Sequence, residues 1–82
     1  MYGIEWKEPA LKQLDKLDSS ISSRIVKKVE DLKENFISAD VKKLKGEHAF
    51  RLRVGDYRVI FEINNNLISI LKVGHRQNIY EK

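Results

Sequence analysis

The chain of 82 residues is 41% apolar and 34% charged, a composition typical of one folded domain over residues 1–82 and one that excludes a disordered chain. The absence of cysteine excludes a disulfide framework, a thiol nucleophile and a thiolate metal site, and it agrees with a reducing cytoplasm. Residues 1–39 hold seven Lys/Arg and seven Asp/Glu, so the net charge of +4 belongs to residues 40–82, which predicts a polyanionic partner, either nucleic acid or an acidic protein.

The N-terminal segment carries charges at Glu5, Lys7 and Glu8, which interrupt any apolar run long enough for a signal peptide. No stretch of the chain approaches the roughly 18 apolar residues that a membrane span needs. We therefore expect a cytoplasmic protein that does not bind membranes.

The first half of the sequence predicts a strand followed by two helices. Residues 2–6 alternate as in a short strand, and Pro9 suits the first turn of a helix over about residues 8–17. Asp18 and the two serines after it supply N-cap chemistry for a second helix. The apolar stripe of that helix recurs at helical spacing and comprises Ile21, Ile25, Val29, Leu32 and Phe36. Because few residues separate the two helices, they should form an antiparallel αα-hairpin.

The second half predicts an antiparallel β-meander that follows a connection over residues 37–49. Gly55-Asp56 is typical of a type II′ hairpin turn. Three runs with strand character surround the turns, over residues 49–54, 57–63 and 67–73. The sequence therefore predicts an α+β fold in which an N-terminal strand and an αα-hairpin pack on the meander, in the order β-α-α-β-β-β.

The asparagines at 64–66 are compatible with a loop of two or of three residues, and each loop length gives the second hairpin a different register. A three-residue loop would place Lys72 beside Arg58, whereas a two-residue loop would turn Lys72 toward the core. We favour the three-residue loop.

A two-residue loop in the first hairpin pairs Arg53 with Arg58 and separates the side chains by alternation. One face is apolar and carries Phe50, Leu52, Val54, Tyr57, Val59, Phe61 and Ile63, and the other carries Arg51, Arg53, Arg58, Ile60 and Glu62. Like charges directly opposite each other destabilise a hairpin. Neutralisation by Glu62 or Asp56, or arginine stems extending into water, is the simpler explanation, but three converging arginines favour an anion site.

Guanidinium groups match phosphate oxygens and stay charged at physiological pH, so the cluster can bind a phosphodiester and stabilise a displacement transition state. The C-terminal run adds His75, Arg76 and Tyr80, each of which is also compatible with an ordinary surface or core-edge role. Two histidines without cysteine or suitably spaced carboxylates argue against a metal site, and we expect no cofactor.

These motifs resemble a known family. The segments KLKG, RLRVGDYRV and VGHR-x3-Y, in a chain of this length and element order, resemble the RelE/ParE superfamily of toxin-antitoxin toxins, and RelE most closely. The resemblance covers nearly the full chain. It implies a metal-independent endoribonuclease that cuts mRNA in the ribosomal A site, by attack of a ribose 2′-OH on the adjacent phosphate.

The resemblance also implies partners. RelE toxins act on the ribosome and its mRNA, and a cognate RelB-like antitoxin neutralises them by wrapping the toxin with an extended helical segment. The free toxin is expected to be a monomer, and the complex with antitoxin a heterotetramer or a similar assembly.

Site residues follow from the resemblance position by position. Arg51 and Arg53 match two basic positions that are lysines in the best-studied members, one of which is thought to act as the base. Arg58 matches the phosphate-stabilising arginine, Arg76 the proton donor to the leaving oxygen, and Tyr80 the tyrosine that stacks on the target nucleotide.

The replacement of both lysines by arginine is a departure from the family pattern. Arg51 and Arg53 would act mainly by electrostatics or with help from His75, since arginine is poorly suited to removing a proton. We expect further RNA contacts from the lysines at Lys43, Lys45 and Lys72. A ParE-like gyrase-inhibiting toxin, or a module that binds RNA or antitoxin without strong activity, are the alternatives.

Overall fold

A computed structural model describes residues 2–36, 39–44 and 49–79 of the chain. The elements in chain order are β1 (Gly3–Trp6), α1 (Glu8–Asp15), α2 (Ser19–Asn35), β2 (Val41–Lys43), β3 (Ala49–Val54), β4 (Tyr57–Asn64) and β5 (Leu67–His75). The predicted α+β architecture is confirmed, with one strand more than the sequence indicated. Within these ranges no helix combines the length and the apolar character needed to cross a bilayer.

The five strands form one sheet in the order β1-β5-β4-β3-β2, in which β1 runs parallel to β5 and the other neighbours are antiparallel. The prediction that residues 37–49 only connect α2 to the meander was wrong at β2, which pairs with β3 through Val41↔Leu52, Lys42↔Arg51 and Lys43↔Phe50. A strand of three residues is too short for an alternation pattern to be recognised.

The register of the first hairpin is the predicted one. Val54 pairs with Tyr57 across the turn, Arg53 with Arg58, and the ladder continues to Ala49↔Glu62. Of the two turn residues only Gly55 has positive φ, at 59°, which is the sign pattern of a type II′ turn.

The second hairpin differs from the favoured prediction. Asn64 pairs with Leu67, so the loop has two residues, and Asn65 takes φ of 57° in it. A β-bulge then shifts the register, because Phe61 pairs with Ile70 but Ile60 pairs with Lys72. The extra residue returns Lys72 to the face of Ile60 and Arg51, the outcome that we had attributed to a longer loop.

The core lies between α2 and the apolar face of the sheet. Ile25, Val29 and Leu32 of α2 are fully buried, together with Phe61 in the central strand β4. The Phe61 ring stacks on Phe50 at a centroid distance of 5.4 Å and meets Phe36 edge-on at 6.2 Å. This cluster fixes which sheet face is covered, and the opposite face is left for the polar side chains.

Helix α1 lies along the edge of β5 beyond the point where β1 ends. Strand β1 pairs only with residues 67–70 of β5, so the remainder of β5 needs other partners for its backbone. The Val73 N–H donates to Gln13 Oε1 at 2.7 Å. Ala10 of the same helix is fully buried in the core cluster. A side chain of α1 thus replaces the missing strand neighbour.

Candidate functional site

The sheet face opposite α2 carries a group of basic side chains that we call the cationic face: Lys42, Arg51, Arg53, Arg58 and Lys72. Cross-strand pairing sets them in two rows. The first row runs Lys42, Arg51, Ile60, Lys72 across four strands, and the second runs Arg53, Arg58, Gly74 across three. Paired residues share a face, so the register alone brings these cations together.

Asp40, which precedes β2, holds two of the arginines. Its Oδ2 accepts a hydrogen bond from Arg53 Nε at 2.6 Å, and its backbone carbonyl accepts the Arg53 N–H at 3.0 Å. Its Oδ1 lies 3.7 Å from Arg51 Nη1. The Arg51 side chain is only 12% exposed, whereas Arg53 is 53% exposed. Arg53 is therefore the more accessible of the two to a bound phosphate.

Arg58 and Arg76 both contact the turn of the first hairpin. Arg58 Nη1 donates to the carbonyls of Gly55 and Tyr57, at 2.9 and 3.0 Å. The Arg76 N–H donates to the Asp56 carbonyl at 2.8 Å, and Arg76 Nε lies 3.9 Å from Asp56 Oδ1. The turn thus positions both arginines at the same end of the sheet.

His75 lies on the other face. It pairs with Tyr57, whose ring it meets edge-on at a centroid distance of 5.4 Å, and its Nδ1 accepts the Gln77 N–H at 3.2 Å. Because Tyr57 belongs to the apolar face, the sheet separates the imidazole from the Arg53–Arg58 pair. The structure brings together Arg51, Arg53, Arg58 and Lys72, with Arg76 near the turn, and does not bring His75 to them.

The predicted RNA-binding lysines divide in the same way. Lys43 pairs with Phe50 and so lies on the opposite side from Lys72. Lys45 and the predicted stacking residue Tyr80 lie outside the described residues. Lys42, and not Lys43, lies directly opposite Arg51 on the cationic face.

Sequence reasoning missed Lys42 and Asp40 because both belong to the short β2 region. The available signal was the apolar Val41 between two polar residues, which indicates the phase of an edge strand. Among the described residues, no group of three or more His, Asp or Glu side chains could hold a metal ion.

The comparisons with known proteins agree on one family. A family model described as the ParE toxin of the type II toxin-antitoxin system parDE matches residues 4–80. The chain belongs to the RelE/ParE toxin superfamily. One relative, Toxin RelE3 of Methanocaldococcus jannaschii, is 36% identical to this chain over 76 residues. The matched segment covers 87% of this chain and 86% of that protein.

Solved structures of RelE/ParE toxins show the same fold. The RelB-RelE antitoxin-toxin complex from Methanococcus jannaschii contains a chain that matches with a TM-score of 0.79 and 30% identity, covering 93% of this chain and 94% of that one. The toxin-antitoxin complex RelBE2 from Mycobacterium tuberculosis matches with a TM-score of 0.80 and 29% identity, covering 92% and 98%.

Proposed function

We propose that this toxin is a ribosome-dependent endoribonuclease that cuts mRNA in the A site and thereby inhibits translation in the cytoplasm. The observation that carries the proposal is the register pair Arg53↔Arg58, on a sheet face that also presents Lys42, Arg51 and Lys72. Strands rarely place like charges opposite each other without a reason, because the pairing costs stability. A bound phosphodiester supplies that reason.

The reaction that fits this face is an internal transfer of the phosphate. The ribose 2′-OH gives up its proton to solvent water as its oxygen attacks the adjacent phosphorus. The bond from phosphorus to the 5′ oxygen breaks, and the products are a 2′,3′-cyclic phosphate and a free 5′-OH. Arg53 and Arg58 hold the phosphate and stabilise the charge that develops on its oxygens. Arg76, 59% exposed beside the turn, donates a proton to the leaving oxygen.

Arg51 acts by electrostatics from a more buried position, since its side chain is 12% exposed. Tyr80, by family resemblance, stacks on the target nucleotide. His75 faces Tyr57 across the sheet from the phosphate cations, so we assign proton donation to Arg76 and not to His75.

A RelB-like antitoxin is the proposed partner that keeps the toxin inactive, forming a heterotetramer or a similar assembly with a toxin that is monomeric when free. The similar structures include RelB-RelE complexes. A groove of about 490 Å³ between α1 and α2 combines apolar residues (Leu11, Leu14 and Val26) with polar ones (Asp15, Ser22, Ser23 and Lys27), and this mixture suits an amphipathic helical segment. Copurification of the toxin with the product of a neighbouring gene tests this.

The test of cleavage is primer extension on cellular mRNA after induction of the toxin in growing cells. The wild type should produce new 5′ ends within translated codons, and Arg58→Ala should lose both cleavage and growth arrest, because losing one charge-stabilising donor costs about 100- to 1000-fold in rate. Lys12→Ala, which removes an exposed cation on α1, is the control and should behave like the wild type. A folded Arg58→Ala protein that still arrests growth would contradict the assignment.

Inhibition of DNA gyrase is the second candidate, favoured by the ParE description of the family model. A supercoiling assay with purified toxin separates the two functions. Cleavage of mRNA on programmed ribosomes without an effect on gyrase supports the ribonuclease, and the reverse result supports the ParE-like toxin.

A further inference from the structure

A cavity of about 370 Å³ opens at the edge of the cationic face, with which it shares Lys72. Its lining comes from α1, β4, β5 and the segment after β5, and comprises Gln13, Ile60, Leu71, Lys72, Asn78 and Ile79. The volume falls within the range of about 300–1,000 Å³ that is usual for small-ligand pockets. A single nucleobase is small enough to enter it.

The β-bulge in β5 lies in the wall of this cavity. Ile60 has Lys72 as its register partner, and Leu71 is the extra residue between the pairs Phe61↔Ile70 and Ile60↔Lys72. Leu71 and Lys72 of β5 therefore lie opposite the single β4 residue Ile60, and all three line the cavity. Ile60 also lies between Arg51 and Lys72 in the first cationic row, so the cavity is directly beside two cations.

The floor of the cavity is apolar. Ile60 is 7% exposed, and Ile79 folds back over β5, where its Cδ1 and Cγ1 atoms lie 3.1 Å from the position that a Cβ on Gly74 would occupy. The missing side chain at Gly74 thus lets the C-terminal segment approach the sheet. Aliphatic surfaces of this kind pack against the flat face of a base.

The rim of the cavity is formed by the polar residues Gln13 and Asn78, each of which is held by a hydrogen bond. Gln13 Oε1 accepts the Val73 N–H at 2.7 Å, so the amide NH₂ of Gln13 occupies the other branch of the side chain and acts as a donor. Asn78 is anchored through its backbone N–H, which donates to the His75 carbonyl at 2.8 Å, while its side chain is exposed. Amides are the side chains best matched to the edges of bases, which carry neighbouring donors and acceptors.

We propose that this cavity binds one unpaired nucleobase of the RNA, next to the phosphate held by Arg53 and Arg58, and that Gln13 and Asn78 read its edge. The inference rests on the proposed ribonuclease function, and it adds a site that selects sequence. Lys72 contacts the phosphate of the bound nucleotide, and the apolar floor holds the ring.

The experiment uses a trinucleotide RNA with 2′-O-methyl riboses, which cannot be cleaved, and an otherwise identical probe in which one position is abasic. Binding to the purified toxin is followed by NMR through the Ile60 methyl groups and the Gln13 side-chain amide. We expect these signals to move with the complete trinucleotide and the affinity to fall about tenfold when the base that enters the cavity is removed.

Two variants and one control test the reading residues. Gln13→Glu keeps an acceptor for the Val73 N–H but replaces the amide donor, and it should weaken binding of the complete probe more than that of the abasic probe, on which only its added charge acts. Asn78→Ala removes the second amide and should weaken binding of the complete probe while leaving the abasic probe unaffected. Gln77→Ala, a neighbouring exposed amide outside the cavity lining, should bind as the wild type does.

Equal binding of the complete and abasic probes, or unchanged binding by both variants, overturns the inference. So does a titration in which the Ile60 signals respond to antitoxin and not to RNA, since the cavity then belongs to the protein interface. The ribonuclease proposal is judged separately by primer extension with the wild type. Cleavage there, combined with unresponsive cavity signals, removes the base site and leaves the reaction standing.

Discussion

Asp40→Asn tests whether a carboxylate makes the arginine cluster compatible with folding. The substitution keeps the size of the side chain and an oxygen acceptor but removes the charge that lies 2.6 Å from Arg53 Nε and 3.7 Å from Arg51 Nη1. The repulsion between the opposed Arg53 and Arg58 then remains without its nearest described counter-charge.

The magnitude follows from exposure. Asp40 and Arg53 are 48% and 53% exposed, so their attraction is screened and contributes about 0.2–1 kcal/mol. The more buried Arg51 adds a further, weaker attraction across its longer distance. We expect Asp40→Asn to lower the free energy of unfolding by about 1 kcal/mol at low salt. In 1 M NaCl the Debye length falls to about 3 Å, and much of this difference should disappear.

Urea unfolding followed by the fluorescence of Trp6, the single tryptophan, measures the change, with toxin refolded free of antitoxin. Urea is uncharged and does not screen the ion pairs. Glu30→Gln is the matched control, because Glu30 and Lys33 form an ordinary exposed helix pair at 2.9 Å, worth about 0.3–0.5 kcal/mol. A loss for Asp40→Asn no larger than for Glu30→Gln, or one independent of salt, would refute this account of the cluster.

Substitutions at two further positions test the core and the turn by the same unfolding assay. Phe61→Ala should cost about 3–5 kcal/mol through the cavity it leaves, and Phe61→Leu about 1–2 kcal/mol, chiefly through lost ring contacts; similar costs for both would contradict the aromatic cluster. Gly55→Ala should cost about 1–2 kcal/mol because φ is 59°. A loss that disappears when Gly55→Ala is made in an Arg24→Ala background would mean that contact with Arg24, and not φ, sets the cost.

The first hairpin was predictable because its turn and its alternation agree. A two-residue turn at Gly55 leaves one possible pairing, so Arg53 had to meet Arg58. The register of the second hairpin was not predictable, because the short loop and the β-bulge together place Lys72 on the same face that a longer loop would give. The sequence does mark the bulge by a break in alternation, since the buried Ile70 and Val73 are three residues apart where simple alternation requires two or four.

Only those site residues whose positions follow from the alternation of a strand could be predicted. Arg51, Arg53 and Arg58 lie where alternation put them, whereas His75 was included for its imidazole, although its alternation with Val73 turns it toward Tyr57. Asp40 could not have been assigned to Arg53 from sequence, because that contact depends on the pairing of β2, a strand of three residues.

The parallel pairing of β1 with β5 has a consequence for how the protein matures. Gly3 pairs with Leu67 and Trp6 with Ile70, so the first strand has no sheet neighbour until residues 67–70 have been synthesised and have left the ribosome. Contacts this distant in sequence form late, because a long loop must close before they are gained. The cationic face, which takes Lys72 from the same strand, is completed at that step. A nascent chain of this toxin therefore lacks its complete anion site until Lys72 has left the ribosome.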